Sequence, residues 1–357
     1  YGFNAYLVEF DPKTGKQRIV LDTNKLCGLT TKGPTYAAQA KIHTRNYVGP
    51  SGKIYVGSKQ GYRKGKDDTA DYPGGYVMTY DPATDTAENL GMPFKGEGVI
   101  DVTADESRGI IYVVTCEGQH WMRYDVKTKK YRELGPLLTP YAVTLVDSAD
   151  RARAVTKDFQ LATYDPATDK VTTSPLAIDG KPIGTPDDKK SVACWDMTAD
   201  GKTAYLIRLA DPTLYRIDLG EPTPKVASHG RMIKGKNFDS RGSLIVGADK
   251  KVYALVRIDN TTKFGTGYLH HLVSFDPEKA KMTDHGVIAV RNPDFFDFGP
   301  GKDGKPKPWS HGYHKLPDGT LTPLHAHMAL AMAKDGTLYA TIIYPFTLLK
   351  IDPKDYK

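Results

Sequence analysis

Short runs of alternating apolar and polar residues recur along the chain, and each closes on the same signal: an aromatic or aliphatic residue, an Asp and, in most copies, a Pro. The clearest runs are Tyr6 to Pro12, Tyr76 to Pro82, Leu161 to Pro166 and Leu269 to Pro277, with weaker ones ending at Tyr124-Asp125, Ile217-Asp218 and Ile351-Asp352-Pro353. A period of two buries one face of an extended segment, so each run predicts a strand. The Asp can accept backbone N–H groups in the turn that follows, and the Pro fixes φ there. The polar stretch after it, such as Ala-Thr-Asp or Lys-Thr-Gly, completes a hairpin into an outer strand.

A second pattern precedes most copies: strand, Asp-Gly or Ser-Gly turn, strand. Val48 to Gly57, Met197 to Leu206 and Met332 to Thr341 show it plainly, and Thr103 to Val114 and Phe238 to Val246 more loosely. Together the two patterns make a four-stranded antiparallel meander of roughly 45 residues, which is one propeller blade. The expected fold is an all-β propeller, a single domain over residues 1–357, with long loops on one face at 59–75 and 291–324. The seven aromatic-Asp copies give seven blades, and the six legible inner hairpins give six as the other count. The first copy lacks its two preceding strands and the last its outer strand; residues before Tyr1 would supply both, and a start without Met reads as a processed or trimmed N-terminus.

Composition agrees with short strands and turns: 34 Gly, 24 Pro and 22 Tyr accompany an absence of long helix-forming stretches. A net charge of +7 suits an anionic partner without naming one. Lys and Arg are scattered and no nucleic-acid motif accompanies them, which argues against nucleic acid. The three cysteines, Cys27, Cys116 and Cys194, are too few and too widely spaced for a disulfide framework or zinc ribbon and read as core residues. No apolar run is long enough to span a membrane. The chain is expected to be secreted or periplasmic, and a monomer.

In a propeller, ligands meet the ends of second strands, the loops after them and the starts of innermost strands. His120, in the loop Glu117 to Trp121, occupies such a loop, and Tyr62, Arg208 and Tyr344 occupy the matching ones. His43 and Arg45 fall at the start of an innermost strand, as do His325 and His327, which share a strand face and point to a divalent metal, zinc or calcium, with His43 as third ligand. Against this stands the plainer reading of hydrogen-bonded histidines between blades. No organic cofactor is expected. Histidine has the unperturbed pKa of a base near neutrality, Tyr62 or Tyr344 would serve as acid, and Arg45 and Arg208 would hold a carboxylate. Lys66 and Trp195 complete the candidate substrate-binding set. The absence of Gly-x-Ser-x-Gly argues against that type of hydrolase.

With this repeat the chain resembles the seven-bladed β-propeller polysaccharide lyases, ulvan lyases among them, at the level of architecture. The resemblance implies β-elimination on a uronate-containing acidic polysaccharide or oligosaccharide, with His and Tyr as base and acid, Arg neutralising the carboxylate and often a bound metal. The other readings are a metal-dependent lactonase, sugar hydrolase or oxidoreductase on the same fold, and a non-catalytic binding propeller.

Overall fold

The aromatic-Asp signal works as the alternation requires. In a computed structural model Asp81 accepts from the Ala83 amide at 2.9 Å, Asp125 from the Thr128 amide at 2.7 Å and Asp165 from the Ala167 amide at 2.8 Å. These bonds hold the carboxyls of Asp125 and Asp165 below the usual carboxylate range. Four residues on, the backbone turns left-handed at Asp85, Lys129 and Asp169, and the chain returns as an outer strand. The structure describes residues 5–29, 39–60, 73–186, 193–220, 223–240, 243–262, 268–290, 303–305, 309–310, 313–316, 318, 320–323, 327–343 and 346–356.

These residues form an all-β propeller with four-stranded antiparallel blades, six in number, the second of the two counts the repeat allowed. They fall into two compact units, residues 1–175 and 176–357. The first unit holds three blades. In blade 1 the innermost strand is broken into Lys41–Ile42 and Tyr47–Val48, both pairing with Ile54–Lys59, followed by Val77–Asp81 and Thr86–Gly91. Blade 2 is Gly98–Asp105, Ile110–Cys116, Trp121–Asp125 and Lys130–Glu133; blade 3 is Leu145–Val146, Ala152–Val155, Gln160–Asp165 and Lys170–Pro175.

The second unit holds blade 4, Ala193–Met197, Thr203–Arg208, Asp211–Asp218 and Lys225–Arg231, and blade 5, Leu244–Val246, Val252–Asp259, Tyr268–Asp276 and Lys281–Val287. Blade 6 shows three strands, His327–Met332, Leu338–Ile343 and Phe346–Ile351. A hairpin, Ala177–Ile178 with Lys181–Pro182, precedes blade 4, and a small sheet of Trp309–Ser310, Tyr313–Lys315 and Leu321–Pro323 precedes blade 6.

The seventh aromatic-Asp copy explains the difference in count. It lies in a two-stranded hairpin, Tyr6–Phe10 with Gln17–Asp22, rather than in a blade with inner strands of its own.

Burial falls from inside to outside. The two inner strands of blade 2 are buried along their whole length, whereas Lys130–Glu133 is largely exposed. Tyr112, Val114 and Trp121 of blade 2 pack with Ala154, Ala162 and Tyr164 of blade 3, and Val99 and Val113 of blade 2 with Tyr55 and Val77 of blade 1. Removing that apolar area from water is the main stabilising term.

Candidate functional site

One end of blades 1 and 2 gathers a set of titratable side chains from several strands. His120 leaves the second strand of blade 2 on a tight loop: its amide donates to Thr115 Oγ1 and its carbonyl accepts from the Thr115 amide, both at 3.0 Å. Glu117 and Gln119 take positive φ around Gly118, where a Cβ would collide with the Glu97 carboxylate and the His120 ring. Glycine is therefore required for the loop to pass so close to that pair.

The His120 ring stacks on Phe94 with centroids 4.0 Å apart. Its Nδ1 lies 2.6 Å from Glu133 Oε1 and its Nε2 3.4 Å from Glu97 Oε1. A carboxylate only accepts, so Nδ1, hydrogen-bonded to Glu133, carries a proton, whereas Nε2 lies at an ion-pair distance from Glu97 without a hydrogen bond to it. Glu97 accepts from the Thr115 hydroxyl. The His120 ring is thus oriented by Phe94 and Glu133, with Glu97 itself held by Thr115.

A cationic group meets the same loop at Glu117. Lys59, at the end of the second strand of blade 1, donates to Glu117. Burial opposes its charge, but Glu117 and Cys116 outweigh burial and hold its ammonium above the usual lysine range. Burial and the charge of Lys59 push Lys41 down. His43 Nδ1 lies 3.9 Å from Cys116 Sγ. Burial, then Lys41 and Lys59, push its imidazole down to about 3, so it is neutral at neutral pH.

This surrounding bears on the expected metal. A neutral imidazole can ligate, but two lysines beside it repel a divalent cation. Among the described residues no group of three or more His, Cys, Asp or Glu is placed to hold a metal. The other two expected ligands give no geometry: His325 lies outside the described residues, and of His327 only the strand position, opposite Ile342, is described. Tyr62, Lys66 and Tyr344 also lie outside the described residues, as does most of the two long loops.

Arg45 occupies the break in the innermost strand of blade 1. Its Nε donates to buried Asp101 at 2.9 Å, and its Nη2 donates to Thr103 Oγ1 at 2.7 Å and the Thr144 carbonyl at 2.9 Å. The structure thus places it in an internal ion pair linking three blades. Trp195, on the innermost strand of blade 4, is only 3% exposed.

Arg208, at the end of the second strand of blade 4, stands differently. Its Nη2 donates to Asp211 Oδ2 at 2.8 Å across a two-residue turn. With Tyr215, Ile178, Asp179, Lys181 and Pro182 it lines an open cavity of about 540 Å³, within the roughly 300–1,000 Å³ of small-molecule sites.

Sequence reasoning missed Glu97, Glu133, Phe94 and Lys59 as partners of this site. Glu133 had a usable signal: the turn register Asp125↔Lys130 sets Met122 opposite Glu133, next to His120. Glu97 and Lys59 come from other strands and carry no local signal.

Fold and site together define a propeller with a carboxylate-held histidine on the loop between the second and third strands of a blade. No protein-family model matches the chain, and no curated protein sequence matches it. Solved structures do. A provisionally assigned 6-phosphogluconolactonase from Bacteroides uniformis has a TM-score of 0.55 at 11% identity, over 99% of this chain and 89% of that one. The periplasmic gluconolactonase PpgL of Pseudomonas aeruginosa has a TM-score of 0.52 at 15% identity, again over 99% and 89%. Hydrazine synthase of Kuenenia stuttgartiensis has 0.52 at 10% identity, over 88% and 76%. At such identities the likeness is one of fold. None of the three is a polysaccharide lyase, so the resemblance read from the repeat holds for the propeller and finds no support among them for ulvan-lyase chemistry.

Proposed function

We propose that the protein is a carbohydrate-active enzyme hydrolysing a sugar lactone, the reading kept above as the alternative to a lyase. The observation that carries it is the His120 ring held between Glu133, Glu97 and Phe94. Two propellers of similar fold are named as lactonases, which supports the choice of reaction. In this reading His120 Nε2 takes a proton from water as the oxygen attacks the lactone carbonyl. Lys59 steadies the developing oxyanion. The ring C–O bond then breaks, and the imidazolium returns the proton to the leaving alkoxide, giving the open hydroxy acid.

β-Elimination on a uronate would use the same base but would release an unsaturated product. The test is a panel of sugar lactones and acidic polysaccharides, followed by acid release and by ultraviolet absorbance. Acid release from a lactone, lost in His120→Ala, supports the proposal; absorbance growth on a polysaccharide with no acid release overturns it. A metal on His325 and His327 is retained only as a proposal, tested by elemental analysis of purified protein, and no step above runs through it. Export to the periplasm or medium is likewise proposed, with cell fractionation as its test.

A further inference from the structure

The cavity beside blade 4 is built from two parts. One is the hairpin Ala177–Ile178 with Lys181–Pro182, whose two turn residues, Asp179 and Gly180, have φ of 50° and 75°. Two left-handed residues in a two-residue turn match the strand twist and give a stiff hairpin. It packs on the outer strand Lys225–Arg231. The other part is the blade itself, presenting Arg208 and Tyr215.

Charge and shape then narrow the occupant. Arg208 and Lys181 bring two cations; Asp179 lines the cavity and Asp211 is bonded to Arg208. Burial opposes ionisation of Asp211, but Arg208 and Thr213 hold its carboxyl below the usual range, so it stays an anion and offsets Arg208. Among the described residues these two positive and two negative groups balance, which gives no net attraction for an anion. They offer donors and acceptors side by side, as adjacent sugar hydroxyls require. Ile178, Pro182 and the Tyr215 ring supply an apolar wall, matching the C–H face of a pyranose.

We propose that this cavity is a binding site for a neutral sugar ring, with Arg208 and Asp179 on its hydroxyls and Tyr215 against its face. Arg208 then recognises hydroxyls rather than the carboxylate expected of it from sequence. The site lies wholly within the second unit and is independent of the lactonase reading.

Titration calorimetry on the full chain tests it, with the methyl glycosides of glucose, galactose, mannose and xylose and with sodium glucuronate as probes. At least one glycoside should bind with a dissociation constant on the order of 1 mM. Tyr215→Ala should weaken that binding roughly tenfold or more, and Lys181→Ala, on an exposed hairpin and so without risk to folding, roughly threefold. His120→Ala should bind the glycoside as wild type does, so loss of turnover there leaves this site untouched. Absence of saturable heat with every glycoside up to about 50 mM overturns the proposal. Tighter binding of glucuronate than of the glucoside also overturns it, as does wild-type affinity in both Tyr215→Ala and Lys181→Ala.

Discussion

Arg45 and Arg208 look alike in sequence: each sits where a propeller strand meets its ligand-facing end. Their surroundings part company. Arg45 donates inward to Asp101, Thr103 and the Thr144 carbonyl, and Asp101 Oδ2 also accepts from the Thr144 amide at 2.9 Å. Trp121 adds a bond from Nε1 to Thr144 Oγ1 at 3.1 Å. Arg208 is held by Asp211, whose side chain is 31% exposed, and opens on a cavity. The junction of blades 1 to 3 thus uses its charges to hold strands together. Blade 4 leaves its charges at the edge of a volume that a ligand can fill. The repeat fixes the address of a side chain, and the neighbouring strands decide its task.

The largest expected effect separates these two addresses by stability. Asp101 is fully buried, and Asp101→Ala leaves Arg45 Nε and the Thr144 amide without their acceptor and removes the charge that pairs the guanidinium. The loss should be about 3 kcal/mol. Asp211→Ala breaks a partly exposed pair and should cost less than about 1 kcal/mol. Urea unfolding of the two variants measures the difference, and equal shifts in midpoint would erase the distinction drawn between the arginines.

Next in size is turnover. His120→Ala removes the proposed base, and kcat on a lactone substrate should fall roughly a hundredfold. Asp211→Ala, in the other region, should leave kcat within about twofold. Wild-type turnover in His120→Ala would remove the histidine from the mechanism.

Much of this was legible in the chain. The aromatic-Asp signal marks the third strands because its chemistry is local: in blades 1 to 3 the carboxylate caps its own turn. The count went astray where the same signal serves a two-stranded hairpin. There Arg18 reaches Tyr80 and Asp85 of blade 1, as Arg132 of blade 2 reaches Tyr164 and Asp169 of blade 3. The inner hairpin of blade 5 was misplaced at Phe238 to Val246 for a different reason. Its turn runs from Gly247 to Lys251 and puts Lys250, not Gly, in the left-handed region with φ of 64°. No Asp-Gly marks it. The position of His120 was readable, but its partners Glu97 and Lys59 arrive through the pairing of blades, which no spacing encodes.

The third prediction uses pH. The His43 imidazole is held down to about 3 in the folded protein, against an ordinary value of 6.5. Below pH 6.5 the unfolded chain therefore binds a proton that the folded one refuses, so stability falls as pH falls through that window and is flat above it. Between pH 6.5 and 5 the expected loss is about 2 kcal/mol. His43→Gln should remove that part of the slope. A slope unchanged by His43→Gln would show that the closed junction does not suppress charge as described.

The smallest effect concerns the residue behind the base. Glu133 Oε1 holds Nδ1 of His120 at 2.6 Å. Glu133→Gln keeps an oxygen that can accept from Nδ1–H, so the ring stays in place, but it removes the negative charge that favours the imidazolium formed when His120 accepts a proton. That charge matters only as the proton moves, so its loss should appear in kcat and not in KM. A fall in kcat of about tenfold is expected, with KM within about twofold. The matching change in the other region, Asp211→Asn, alters a carboxylate that faces an arginine at a binding cavity. It should leave lactone kcat unchanged while weakening any glycoside bound there by roughly threefold. Steady-state kinetics and the glycoside titration on these two variants read the contrast directly. A Glu133→Gln enzyme with unaltered kcat would mean that the carboxylate only packs against the ring, and the first unit would then lose its claim to a held base.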